Sequence, residues 1–303
     1  MKQIAATLRT SLAAFAGVSA LVLAASAQAE TTSMAQDQVS RIVSLGGSCN
    51  RCELSGRNLS GATFTGATFV SATLVGANLR GAELVGSNFS ASDFSRADMR
   101  GVEISGANFT GSIFIDASLI GAEASGSTFA RANLSRANLS GAEMVGVNLG
   151  GATLVDANLN GAEMFGANMS RVSARNASFN GAELQAANMS SGDFSGASFN
   201  EAELDNARLS GSTFSRATFN GASLSRTDIR GVDLSQARGL TQDQVEEACA
   251  DESTRLPRGL QPGTCRGHRM VIVGSRPVAP PAPPAPPAPA APRPRNIIFA
   301  DNR

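Results

Sequence analysis

From Leu54 to Leu234 an apolar residue falls at every fifth position without a slip, and few folds accept that period. In "GAEMVGVNLGGATLVDANLNGAEMFGAN", residues 141–168, these positions are Met144, Leu149, Leu154, Leu159 and Met164. Gly-Ala-Glu-Met itself returns after twenty residues. A helical stripe recurs at about 3.6 residues and a strand at about 2, so neither explains the pattern. Of the 37 centres, 16 are Leu, 12 Phe, 5 Met and 2 Ile, and only Ala124 and Ala174 are small. Two residues before every centre but Leu59 stands a small or β-branched residue, Ala in 24 of the 37.

A square coil satisfies both periods. Each five-residue unit makes one side and a turn, four sides make a coil, and position n stacks on n + 20. The centre and the small residue before it point inward, and small inward residues let the walls approach. The other three positions are rich in Ser, Thr, Asn, Asp, Glu, Arg and Gly, as an exterior should be. Glycines recur at the corners, where freedom of φ is useful. Each coil's backbone pairs with the coils above and below, so its polar groups are satisfied inside the stack.

The stretches "GANLRGAEL", "RANLSRANLSGAEM" and "GATLVDANLNGAEM" resemble the pentapeptide-repeat family, whose motif is A-(D/N)-L-x-x. The resemblance covers residues 52–236 in one phase. It implies an all-β fold, a right-handed quadrilateral β-helix, in agreement with the coil above. At about 4.8 Å per coil, nine coils give a rod roughly 44 Å long.

The flanking segments differ. Residues 1–29 read as a secretory signal: Lys2 and Arg9, an apolar run over 11–26, and "AQA" at 27–29 before Glu30. The run is shorter than the roughly 20 residues of a membrane span. An exported chain is therefore expected, in the periplasm or outside the cell, with no transmembrane segment after cleavage. Stacked repeats need capped ends. "QDQVSRIVSLGG" within residues 30–51 suggests an N-terminal cap with a short helix. Residues 237–266 suggest a C-terminal one, where Thr241 and Gln244 have capping-box spacing. Residues 267–303 are expected to be a disordered tail, with 10 of the chain's 12 prolines in 277–294. From Arg255 onward there are eight Arg and one acid, whereas residues 54–234 hold 12 Arg against 16 acids. A mildly acidic rod thus carries a basic tail. Loss of Lys2 and Arg9 with the signal takes the chain's formal charge from zero to minus two, which gives no electrostatic reason to bind nucleic acid.

Glu83, Glu103, Glu123, Glu143, Glu163, Glu183 and Glu203 are each twenty apart and should stack on one side. Neighbours about 5 Å apart repel by about 1 kcal/mol in water and about 3 kcal/mol at an effective dielectric of about 20. Such a strip suits cations or a basic partner, although tandem duplication of one coil also copies its Glu. Cys49 and Cys52 lie at the first coil, and Cys249 and Cys265 lie after the last. In an oxidising compartment they read as two local disulfides, Cys49–Cys52 and Cys249–Cys265. The CxxC also has redox or zinc spacing, but it lacks a βαβ context and a second nearby pair. Arg57 is the one arginine at an inward slot, in the first coil.

No enzyme, metal or cofactor is expected. The single histidine, His268, lies beyond the repeats, and serines without a base are not nucleophiles. The expected role is a structural or interaction scaffold of the bacterial cell envelope, binding a protein partner through its sides or its tail, with homodimerisation open. Family resemblance offers an alternative, a DNA mimic that binds gyrase. Export, uninterrupted coils and weak charge depart from that pattern.

Overall fold

The computed structural model describes residues 47–263. They belong to the first of the chain's two compact units, Met1–Cys265. The expected signal segment, the N-terminal helix, Cys265 and the proline-rich tail lie outside the described residues.

The backbone winds into a four-sided coil of twenty residues. Parallel bridges join n to n + 20 in an unbroken series from Ser48↔Thr68 to Thr218↔Arg238. On the first side, Leu54 N–H donates to Thr73 O (2.7 Å) and Thr73 N–H donates to Cys52 O (2.8 Å). A four-residue turn follows each side at once, closed by bonds such as Ala62 N–H to Leu59 O (3.1 Å). Five residues therefore leave room for one bridging residue per side. Among the described residues the sides are isolated bridges, not the extended strands an all-β description suggests.

Every fifth residue from Arg51 to Gly231 is left-handed, with φ between 56° and 73°. This is the third residue of the turn, the position that a type II turn holds at positive φ. Glycine fills 21 of these corners; the other 16 carry side chains, seven of them arginine.

All 37 centres are buried, and none is more than 5% exposed. Phenylalanines stack along the axis where they recur at n + 20. Phe69, Phe89, Phe109 and Phe129 lie with successive centroids 5.0, 5.9 and 5.0 Å apart. Phe179, Phe199 and Phe219 do the same at 5.0 and 5.2 Å. Each small centre, Ala124 and Ala174, is followed at the next centre by a phenylalanine, so side-chain volume around the coil is kept. Where serine takes the small inward slot, its hydroxyl is satisfied. Ser92 Oγ donates to Phe69 O (2.7 Å) and accepts from Ala72 N–H (3.0 Å). Arg57 is half-buried in the first coil.

The series begins one unit earlier than the apolar period. Cys49 stands five residues before Leu54, in the phase of a centre, and is 9% exposed. Beyond Leu234 the next centre is Gly239, and the register then lengthens. Bridges join Asp228 to Cys249 and Asp233 to Arg255, one and two residues longer than a regular coil. A helix, α1, spans Gln242–Glu247 and opens with a capping box. Gln244 Oε1 accepts from Thr241 N–H (2.7 Å), and Thr241 Oγ1 accepts from Gln244 N–H (3.3 Å). The Gln244 amide also donates to Phe219 O (3.0 Å) and Ala222 O (2.7 Å). In a regular coil that second carbonyl meets a backbone donor, as Ala202 O meets Ser223 N–H (2.9 Å). One side chain thus replaces part of the missing next coil.

Candidate functional site

The third side of the coil carries the seven glutamates. Each pairs with the next, from Glu83↔Glu103 to Glu183↔Glu203, with Thr63 and Ser223 at the ends of the column. All seven are exposed. Glu83 accepts from Thr63 Oγ1 (3.3 Å), Glu143 from Ser125 Oγ (2.9 Å), and Glu203 from Gln185 Nε2. Among the described residues no arginine is paired with any of them. The ion pairs lie elsewhere, as in Arg136–Asp116 (2.7 Å) and Arg100–Asp98 (2.5 Å).

The contrast with the fourth side is chemical. There the column is mostly Asn and Thr, and it satisfies itself. Asn108 Nδ2 donates to Asn88 Oδ1 (3.2 Å), and Asn168 Nδ2 donates to Asn148 Oδ1 (3.0 Å). A carboxylate only accepts, so a column of glutamates has no such internal solution. Its donors must come from water, from neighbouring hydroxyls and amides, or from another molecule.

Both corners of the third side are glycine columns. Gly81, Gly101, Gly121, Gly141, Gly161 and Gly181 precede it, and Gly86, Gly106, Gly126, Gly146 and Gly166 follow it. A Cβ at any of these would meet nothing within 4 Å. No corner side chain therefore screens the glutamates from an approaching surface over this stretch. Reading the period missed two neighbours, Val145 (38% exposed) and Phe165 (54%). Each follows a buried methionine centre, so its phase marks it as an outward residue.

Cys49 and Cys52 are disulfide-bonded, with Cα atoms 5.6 Å apart. They take a centre and a small inward slot, so the bond occupies core positions at the start of the stack. Cys249 is half-buried and bridges to Asp228. Its expected partner, Cys265, lies outside the described residues.

A cleft of about 300 Å³ opens where the register lengthens, lined by Arg208, Ser210, Asp228, Arg230 and Asp251. Asp228 is 3% exposed and takes a two-point bond from Arg230, Nε to Oδ1 (2.8 Å) and Nη2 to Oδ2 (2.9 Å). That bond holds its carboxyl below the usual range. The Ser253 hydroxyl, with Gly231 N–H, the Thr254 hydroxyl and Ser253 N–H, lowers Asp251 to about 2. Both acids are thus committed anions that serve the fold. Among the described residues no three His, Cys, Asp or Glu gather as a metal site. No helix there is long and apolar enough to cross a membrane.

The family model described as Pentapeptide repeats matches eight times, together spanning residues 48–236. Among solved structures, HetL, a pentapeptide repeat protein involved in heterocyst differentiation regulation from the cyanobacterium Nostoc sp. strain PCC 7120, aligns with a TM-score of 0.52 and 24% identity. That alignment covers 75% of this chain and 98% of HetL, and it shows the fold. QnrB1, a plasmid-mediated fluoroquinolone resistance protein, aligns at 0.41 and 19% identity over 59% of this chain and 91% of its own. A pentapeptide repeat protein of the Arabidopsis thaliana thylakoid lumen aligns at 0.21 and 29% identity, over 37% and 70%. No curated protein matches the chain.

Proposed function

The chain belongs to the pentapeptide-repeat family, whose members fold as right-handed β-helices, and from that premise we propose that it is a non-enzymatic scaffold binding a protein partner through the third side of its solenoid. One observation carries the reading. Seven exposed glutamates stand in register, the first five of them between two glycine corners, and among the described residues no arginine is paired to them. Like charges held at this spacing are unfavourable to one another, and a cationic surface relieves that cost. The setting we propose is the bacterial cell envelope, on the strength of the secretory signal read in residues 1–29. N-terminal sequencing of the native protein should then begin at Glu30; an intact Met1 would remove the envelope from the reading.

The test of the scaffold is in-cell crosslinking followed by mass spectrometry. Three versions are compared: the native chain, one truncated after Arg276, and the double substitution Glu143→Gln/Glu163→Gln. One partner captured by the first two and lost from the third is the expected result. Loss on truncation instead would move the binding surface from the solenoid to the tail. Inhibition of gyrase supercoiling at micromolar protein would favour the DNA-mimic alternative.

A further inference from the structure

We infer that Val145 and Phe165 are the apolar seat of the third side, and that the segment received there is a basic polypeptide carrying aliphatic or aromatic side chains; this rests on the scaffold reading above. Thirteen phenylalanines fall within the described residues. Twelve are centres exposed by 1% or less, and Phe165 alone stands outside, at 54%. It lies directly above Val145, since Gly146 N–H donates to Phe165 O (2.9 Å). Glu143 and Glu163 stand two residues before the pair, in the adjoining column.

Duplication of a coil accounts for the repeated glutamate but not for this pair. From Thr65 the same position reads Val85, Ser105, Ser125, Val145, Phe165, Gln185 and Asp205. A large exposed apolar group appears at two adjacent levels only, and one of them is aromatic. The glycines on either side, Gly141, Gly161, Gly146 and Gly166, leave both residues unshielded. Charge decides the occupant. A second copy laid face to face would oppose one glutamate column to another, a like-charge contact that proteins avoid. A basic segment meets the column with opposite charge and places an apolar side chain on the Phe165 ring. Aromatic residues are enriched at interface centres, and charged groups belong to the rim around them.

The test uses the purified full-length chain and two fluorescent octapeptides, one alternating Arg and Leu, the other Arg and Ser. Anisotropy should show the Arg-Leu peptide binding about tenfold more tightly, as partial burial of an apolar side chain on a ring implies. Phe165→Ser should erase that difference while leaving the Arg-Ser affinity unchanged; the residue is outside the core, so the fold survives the change. Glu143→Gln/Glu163→Gln should weaken both peptides. Equal affinities, or a preference that survives Phe165→Ser, would overturn the seat. So would a dimer in sedimentation velocity that Phe165→Ser abolishes, because a second copy would then be the occupant. If neither peptide binds while cellular capture still depends on Glu143 and Glu163, the partner class is wrong and the scaffold stands. If that dependence is also absent, both readings fail.

Discussion

Sixteen corner residues with side chains hold a left-handed backbone that costs an L-residue about 1–2 kcal/mol. Glycine avoids that cost but loses about 0.5–1 kcal/mol to the entropy of its freer unfolded chain. Arg171, exposed and in no ion pair among the described residues, is a clean position for the comparison. Arg171→Gly should raise stability by about 0.5–1 kcal/mol in urea unfolding. Arg136→Gly should gain less, because its guanidinium bonds Asp116 one coil away (2.7 and 2.9 Å). A loss at Arg171 would mean that its side chain does something the backbone argument omits. The locked carboxylates make a second prediction. Asp251 titrates at about 2 in the folded state against an ordinary 3.8, so its stabilisation is complete above the ordinary value. It is lost as pH falls from about 4 toward 2, where the folded form must also take the proton. Asp228 and Asp116 are shifted the same way, by bonds from Arg230 and Arg136. The melting temperature should therefore drop over that window, and Asp251→Asn should shrink the drop. An unchanged pH profile in that variant would contradict the bonding described. The inward residues could be read from the period alone, because burial follows phase. Arginine at a left-handed corner could not, since nothing in its type announces a positive φ.

The helix α1 shows why its capping residue is glutamine. Either Gln or Glu at that position completes a capping box, but only the amide also donates. Gln244→Glu keeps the acceptor for Thr241 N–H and removes the donor to Phe219 O and Ala222 O. Losing donors to part-buried carbonyls costs about 1–3 kcal/mol. Thr241→Ala, which removes one cap acceptor, costs about 1 kcal/mol. Gln244→Glu should therefore be the more destabilising of the two, with faster hydrogen exchange at Ala222, Ser223 and their neighbours. The reverse order would show that the box itself, and not the replacement of a coil, is what the residue provides. Spacing made Thr241 and Gln244 readable in advance. The longer register at Cys249 and Arg255 was not, because the apolar period stops at Leu234 and no residue type beyond it marks a bridge. The same limit applies within a coil. The period announces a turn every five residues, but only the hydrogen bonds show that the turn leaves a single bridging residue per side.

The coil, not the five-residue unit, is what repeats in space, and deletions separate the two. Removing residues 141–160 takes out one whole coil and returns every later residue to its own side. Removing residues 141–145 keeps the inward phase but moves everything after it by a quarter turn, so Glu163 would follow Asn138 on the second side. The larger deletion should melt cooperatively and close to the native temperature, and the smaller should melt lower, since ladders on all four sides would mismatch at one level. If the smaller deletion proves the milder, the columns contribute little and the core phase alone holds the fold. Of the candidate side, the glutamate column was readable because duplication wrote it in plain intervals. Val145 and Phe165 were not singled out, because a lone exposed apolar residue is ordinary until its neighbours are seen to be bare. The bridges of the solenoid all run parallel to its axis, and this gives the molecule a grain. Tension between Gly47 and Gly263 loads only the outermost coil at each moment, and each one that opens releases up to about 70 Å of chain. Load applied across the sides meets many levels at once. The solenoid over residues 47–263 thus behaves as a spool: compliant and stepwise when drawn from its ends, stiff when pressed from its flank.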